Sequence, residues 1–175
     1  MIIKLKMRFF LLIGRIKSYT MYLVNTIEDN IRLMEEIMKR KIILASHGEL
    51  SEGIAKSAKM IVEEFDYEVV TYTLQVGHHP DEFKNELEEE IKANTDVEYV
   101  IMADLFGASV ANSLFTLTSY ENVKMFTGMN LNMLLSVLVE YKDELNESDV
   151  ENIVNDSRLG VRSLKNDILT DNEDF

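Results

Sequence analysis

The strongest constraint on this chain is an alternation that begins at Lys41. Short apolar runs are each ended by a turn and followed by a segment whose apolar residues recur at helical spacing. The runs read as strands over 41–45, 67–74, 97–103 and 122–126. The segments after them read as helices over 49–64, 81–93, 109–118 and 130–140. In the first helix Leu50, Ile54, Ala55, Ala58, Ile61 and Val62 form the apolar stripe. Strands separated by helices pair in parallel, with helices covering both faces of the sheet. The expected fold is therefore α/β, doubly wound, around a mostly parallel four-stranded sheet. Of the common orders 2-1-3-4 and 3-2-1-4, we expect the first. It makes strands 1 and 3 neighbours and sets the topological switch point between their carboxyl ends.

Those two ends carry the chemistry. Strand 1 stops at Ser46-His47-Gly48 and strand 3 at Asp104-Leu105-Phe106-Gly107. A histidine has a nucleophilic nitrogen near neutral pH, and a helix start beside it favours an anion such as phosphate. The alternative is a histidine that only caps its turn. Asp104 has two readings as well. It caps the turn into the next helix, or it accepts a hydrogen bond from one ring nitrogen of His47. The second would fix the tautomer and leave the other nitrogen free to attack. Gly107-Ala108-Ser109 offers backbone N–H groups and a hydroxyl suited to a phosphoryl group, and Gly48 is a further candidate phosphate-binding residue. Ser109 taken alone reads as an ordinary N-cap. Thr127-Gly128-Met129-Asn130 either walls the crevice or is a tight turn capped by Asn130. His78 and His79 are adjacent in a loop, read as solvent-exposed, and lack a third metal ligand in any recognisable spacing. No GxxxxGK[ST] and no GxGxxG follows a strand, so nucleotide binding is unsupported. Neither a cofactor nor a metal is expected.

Composition narrows the classes further. A chain of 175 residues with 46% apolar content supports one domain with a proper core. The absence of cysteine excludes disulfides, thiol nucleophiles and zinc-thiolate sites, and fits a reducing, cytoplasmic setting. The net charge of −13 is uneven, with +4 over residues 1–40 and −17 over 41–175. So acidic a body disfavours nucleic acid and favours a basic protein partner.

Residues 1–40 form a basic extension unlike the rest. Phe9-Phe10-Leu11-Leu12-Ile13 is apolar, but Lys4, Lys6, Arg8, Arg15 and Lys17 flank it. That falls short of the roughly 20 apolar residues a spanning helix needs. It also lacks the longer apolar core and cleavage site of a signal peptide. Codons for Met34-Glu35-Glu36-Ile37 can hold a purine-rich ribosome-binding sequence, so we expect translation to start at Met38; the intact mass of natively expressed protein decides this. The domain proper is expected over 41–165. Near its end, Ser148-Asp149-Val150-Glu151 reads as a capping box whose helix closes at Gly160. Val161-Arg162-Ser163-Leu164 is a candidate antiparallel edge strand, and 166–175 an acidic tail.

Three separate stretches together resemble one family. They are Ile43-Leu44-Ala45-Ser46-His47-Gly48 with Gly53, then Asp104-Leu105-Phe106-Gly107-Ala108-Ser109 with Asn112, then Thr127-Gly128-Met129-Asn130-Leu131-Asn132-Met133-Leu134-Leu135. In order and spacing they look like the mannose-family enzyme IIA domain of the bacterial phosphoenolpyruvate-dependent sugar phosphotransferase system, over about 41–164. The chain departs from that pattern at Ala108 and Val110, where the family usually has glycine and proline, and at Asn132, usually proline. The resemblance implies a phosphocarrier in which His47 accepts a phosphoryl group from HPr and passes it to a IIB component. Sugar is then phosphorylated as it crosses the membrane through IIC and IID. Asp104 would orient the histidine, and Ser109 would contact the phosphate. The family's dimers imply a homodimer, with 161–164 the segment exchanged between subunits. Two other readings use the same His47: the phosphoryl-transfer subunit of a dihydroxyacetone kinase, and a regulatory module that senses phosphorylation. A flavodoxin-like binding domain without transfer chemistry would leave the His47 and Asp104 coincidence unexplained.

Overall fold

The computed structural model describes residues 39–62, 65 and 67–164. The basic extension up to 38, the start at Met38 and the acidic tail lie outside the described residues. Four strands, β1 (Lys39–His47), β2 (Glu68–Leu74), β3 (Val97–Ala103) and β4 (Val123–Thr127), form one parallel sheet in the order β2-β1-β3-β4. Among the described residues five α-helices accompany them: α1 (Leu50–Ile61), α2 (Asp81–Ala93), α3 (Ser109–Phe115), α4 (Leu131–Val139) and α5 (Glu147–Leu159). This is the expected doubly wound α/β architecture.

Side-chain alternation along the strands separates two cores. Ile42, Leu44, Val100, Met102 and Phe126 face α1, α4 and α5, where Ile54, Ala58, Leu134, Val137 and Ile153 meet them. Ile43, Ala45, Tyr99, Ile101 and Val123 face α2 and α3, against Leu87, Ile91, Val110 and Leu114. Central strands buried on both faces explain the near-continuous apolar runs of β1 and β3.

Several boundaries differ from expectation. β1 starts at Lys39 rather than 41 and runs on to His47. Its early start owes much to Arg40, a buried side chain whose Nε donates to Glu98 Oε2 of β3 at 2.5 Å. The same guanidinium donates to the carbonyls of Tyr141 and Asp143 and lies 5.0 Å over the ring of Tyr67. Glu98 Oε1 meanwhile accepts the N–H of Leu145 at 2.8 Å, so one ion pair pins the α4–α5 loop to the sheet. α1 stops at Ile61, where Val62 turns extended. α3 tightens into a 3₁₀ turn over Thr116–Ser119, with the Thr116 and Thr118 hydroxyls donating to carbonyls three residues back.

The box that caps the last helix begins two residues before the expected one. Its cap is Asn146, whose side chain accepts the Asp149 N–H while Asp149 accepts that of Asn146. Burial of Leu145 just upstream fixes that frame. Val161–Leu164 forms no strand in this chain. Val161 N–H bonds back to Arg158, Val161 and Leu164 stand exposed, and β4 pairs only with β3 among the described residues.

Removing one partner of a buried ion pair leaves the other charge uncompensated, which costs 3–5 kcal/mol in typical proteins. Glu98→Gln keeps an acceptor for Leu145 N–H but not the charge, so the expected loss is about 3 kcal/mol. Urea unfolding should show an earlier midpoint at unchanged slope, and an unchanged midpoint would remove the pair from the account of stability.

Candidate functional site

The site grows out of the register of two strands. Ala45 of β1 lies opposite Ala103 of β3, so His47 and Asp104 leave the sheet side by side at its carboxyl edge. Asp104 N–H donates to the Ala45 carbonyl at 3.1 Å, which ties the two strand ends together. One carboxylate oxygen, Asp104 Oδ2, then accepts both the backbone N–H of His47 and meets its ring Nδ1, each at 2.8 Å. The other, Oδ1, accepts Leu105 N–H at 2.8 Å. Asp104 thus holds the histidine and closes its own turn on Leu105, but it does not cap the next helix, whose N-cap is Ala108.

Tautomer follows from partner chemistry. An ionised carboxylate only accepts, so in the neutral ring Nδ1 carries the proton and Nε2 keeps a lone pair. Ser109 Oγ lies 3.0 Å from Nε2 and is placed to donate to it. The ring is open to approach, with the His47 side chain 44% exposed against 10% for Asp104. Burial pushes the Asp104 carboxyl up, but the His47 backbone and ring and the Leu105 N–H outweigh it. The net effect is a carboxyl held below its ordinary value.

The other expected residues fall into place unevenly. Ser109 is not the N-cap; Ala108 takes that position with extended backbone, and Ser109, the first helical residue, is free to turn its hydroxyl to His47. Gly107 has φ +76°, a left-handed turn that favours glycine, and its carbonyl accepts Asn112 Nδ2 at 2.9 Å. Asn112 therefore braces the loop ahead of Ser109, a role that composition gives no hint of. Gly48 is also left-handed, at φ +57°, but its N–H is bonded to the Leu74 carbonyl at 3.0 Å. Its contribution is the turn, and its donor is already used. Met129 N–H bonds to the Ala103 carbonyl at 3.0 Å and Asn130 caps α4, so the loop after β4 is fastened to the same edge.

His78 and His79 stand apart in an exposed loop, lining a groove of about 310 Å³ with Tyr72, Glu82, Phe83 and Glu86. Among the described residues no three His, Asp or Glu side chains gather as metal ligands. Beside Gly107 lies a second, more apolar cleft of about 400 Å³, with Phe106, Phe115 and Met125 in its walls. Leu105 and Phe106, on the loop next to His47, are exposed. No helix among the described residues is long and apolar enough to cross a membrane.

Taken together, fold and site define a doubly wound α/β domain with a carboxylate-oriented histidine at its switch point. The model of the family described as PTS system fructose IIA component matches residues 41–154, and the chain belongs to that family. It is a IIA component of the sugar phosphotransferase system, and such components are phosphotransferase proteins that work with HPr and IIB in general. Among solved structures, a PTS IIA protein associated with the fucose utilization operon of Streptococcus pneumoniae is 27% identical, with TM-score 0.62. That match covers 75% of this chain and 97% of the other. The mannose/sorbose-specific IIA subunit from Enterococcus faecalis is 25% identical, with TM-score 0.60 over 73% of this chain and 96% of its own. A sigma-54 interaction domain protein from Enterococcus faecalis, 13% identical with TM-score 0.52 over 70% of this chain and 92% of its own, shares the fold alone.

Proposed function

We propose that His47 is the phosphoryl acceptor of this IIA component, taking the group from phospho-HPr and passing it to a IIB component during sugar uptake. The observation that carries the reading is the bracketing of one imidazole: Nδ1 on Asp104, Nε2 facing Ser109. In the forward step the Nε2 lone pair forms a bond to phosphorus. The bond from phosphorus to its previous carrier breaks, and that electron pair returns to the carrier. Positive charge appears on the ring as the Nε2–P bond forms, and the adjacent Asp104 carboxylate stabilises it without a proton having to move. Ser109 Oγ–H, released from Nε2, then has a phosphoryl oxygen to donate to. Positioning and charge stabilisation are what phosphoryl transfer chiefly requires.

Gly48 and Gly107 enter as the turns that let backbone approach the phosphate, and Leu105 and Phe106 as apolar contacts for the docking carrier. We further propose that the protein acts in the cytoplasm as a homodimer and meets the membrane only through IIC and IID. Incubation with phosphoenolpyruvate, enzyme I and HPr should place one acid-labile phosphate on each chain; no uptake would remove the reading.

Charge bears on the encounter rather than the chemistry. If the acidic body draws in a basic donor, transfer should slow as salt shortens the Debye length to about 8 Å near 0.15 M. A rate flat across ionic strength would delete steering from the mechanism.

A further inference from the structure

Directly before His47 is a residue that should not sit in the interior without a reason. Ser46 is wholly buried, and so is Ser51 in the first turn of α1. Strand alternation turns Ser46 toward the α1 side, with Ile42 and Leu44, while His47 points to the α3 side, where it meets Ser109. The Ser46 hydroxyl is used twice. It accepts the N–H of Ser51 at 2.8 Å and donates to the carbonyl of Gly48 at 3.0 Å. Ser51 in turn donates its hydroxyl to the Tyr72 carbonyl of β2 at 2.9 Å.

The first of these bonds is the one an N-cap side chain ordinarily makes to an N2 amide. The residue at the N-cap of α1, Glu49, makes none. Ser46 caps α1 from inside the strand, and by also holding the Gly48 carbonyl it clamps the Gly48–Glu49 peptide and so closes the turn that follows His47. Gly48 N–H, bonded to Leu74, anchors the same turn to β2. The His47 backbone N–H and its ring Nδ1 share a single carboxylate oxygen. Rotation of the His47 peptide therefore moves the ring off that oxygen and off Ser109 together.

We infer that Ser46, backed by Ser51, is a positioning residue for His47: its buried hydroxyl fixes the turn after the histidine and so sets the angle at which Nε2 is presented. This rests on the reading of His47 as phosphoryl acceptor. The alternative is a purely structural cap, whose loss would lower stability and leave the imidazole unchanged.

The test uses the full chain as wild type, Ser46→Ala, Ser46→Thr and Ser51→Ala. Two readouts are taken: single-turnover phosphorylation by phospho-HPr, and the ring nitrogen shifts of His47 in unphosphorylated protein. Ser46→Ala should cut the maximal transfer rate about tenfold, within the range that small misplacements of reacting groups produce, at unchanged half-saturating donor concentration. Its His47 ring shifts should move away from those of the single tautomer. Ser46→Thr keeps the hydroxyl and should stay within about twofold of wild type in the same assay. Ser51→Ala loses only the Tyr72 bond and should fall between them. A Ser46→Ala protein with a lowered melting temperature but wild-type rate and ring shifts overturns the inference, as does Ser46→Thr falling as far as Ser46→Ala. If Ser46→Ala does not fold, Ser51→Ala decides, and wild-type values there overturn it. If wild type takes no phosphate, the proposed function falls; the ring shifts of the variants still judge the positioning claim, and their constancy overturns it separately.

Discussion

His47→Ala should leave a folded protein that takes up no acid-labile phosphate. The side chain is 44% exposed at a strand end and belongs to neither core, so its truncation removes little packing. What it removes is the one ring held between a carboxylate and a hydroxyl. His78 and His79 offer no substitute, because neither has such partners among the described residues, and both sit in an exposed loop. Labelling with phosphoenolpyruvate, enzyme I and HPr should therefore fall to background. Full labelling of this variant would move the acceptor elsewhere in the chain.

Asp104→Asn should slow transfer by about 10²–10³ while the fold holds, a range typical of positioned acid–base partners. Asparagine is isosteric, but its side chain can present an NH₂ to Nδ1 in place of an acceptor. That favours the tautomer with its proton on Nε2, the nitrogen that must attack. The same exchange in a serine-protease triad costs about 10⁴; there the histidine must also pick up a proton, which is not required here. Losing the carboxylate also removes the charge that offsets the phosphorylated ring. Because the Asp104 carboxyl is held below its ordinary 3.8, the pairing should persist through mildly acid pH. Its contribution to stability, present above 3.8, should be lost as pH falls through the lowered value. A carboxyl-carbon titration of Asp104 checks that order, and wild-type transfer in Asp104→Asn would defeat the pairing.

The sheet was legible because its signals are local. Apolar runs mark β1 and β3, turn residues mark their ends, and the order 2-1-3-4 then brings His47 beside Asp104. Partners distant in sequence were not legible. Arg40 reads as part of the basic extension over 1–40 until Glu98, 58 residues on, is seen to neutralise it inside the fold. The frame of the α5 cap depended on burial of Leu145, which no cap pattern encodes. Ser109 looked like an N-cap because serine usually is one, and only the extended backbone of Ala108 frees its hydroxyl for His47. Gly48 was expected to bind phosphate, but neighbouring β2 claims its N–H through Leu74. Ser46 and Ser51 gave no warning at all, since a buried serine and an exposed one look alike in a sequence. The candidate edge strand at 161–164 shows the same limit: a strand needs a partner, and none of the described strands takes that part.

The central claim concerns one atom. On the proposed reading, Asp104 holds Nδ1 and leaves Nε2 of His47 as the atom that meets phosphorus. Phosphorylated protein, labelled with nitrogen-15 in its histidine rings, should show phosphorus coupled to Nε2 of His47 alone, with Nδ1 still protonated. Phosphorus on Nδ1 of His47, or on either ring nitrogen of His78 or His79, would contradict the account.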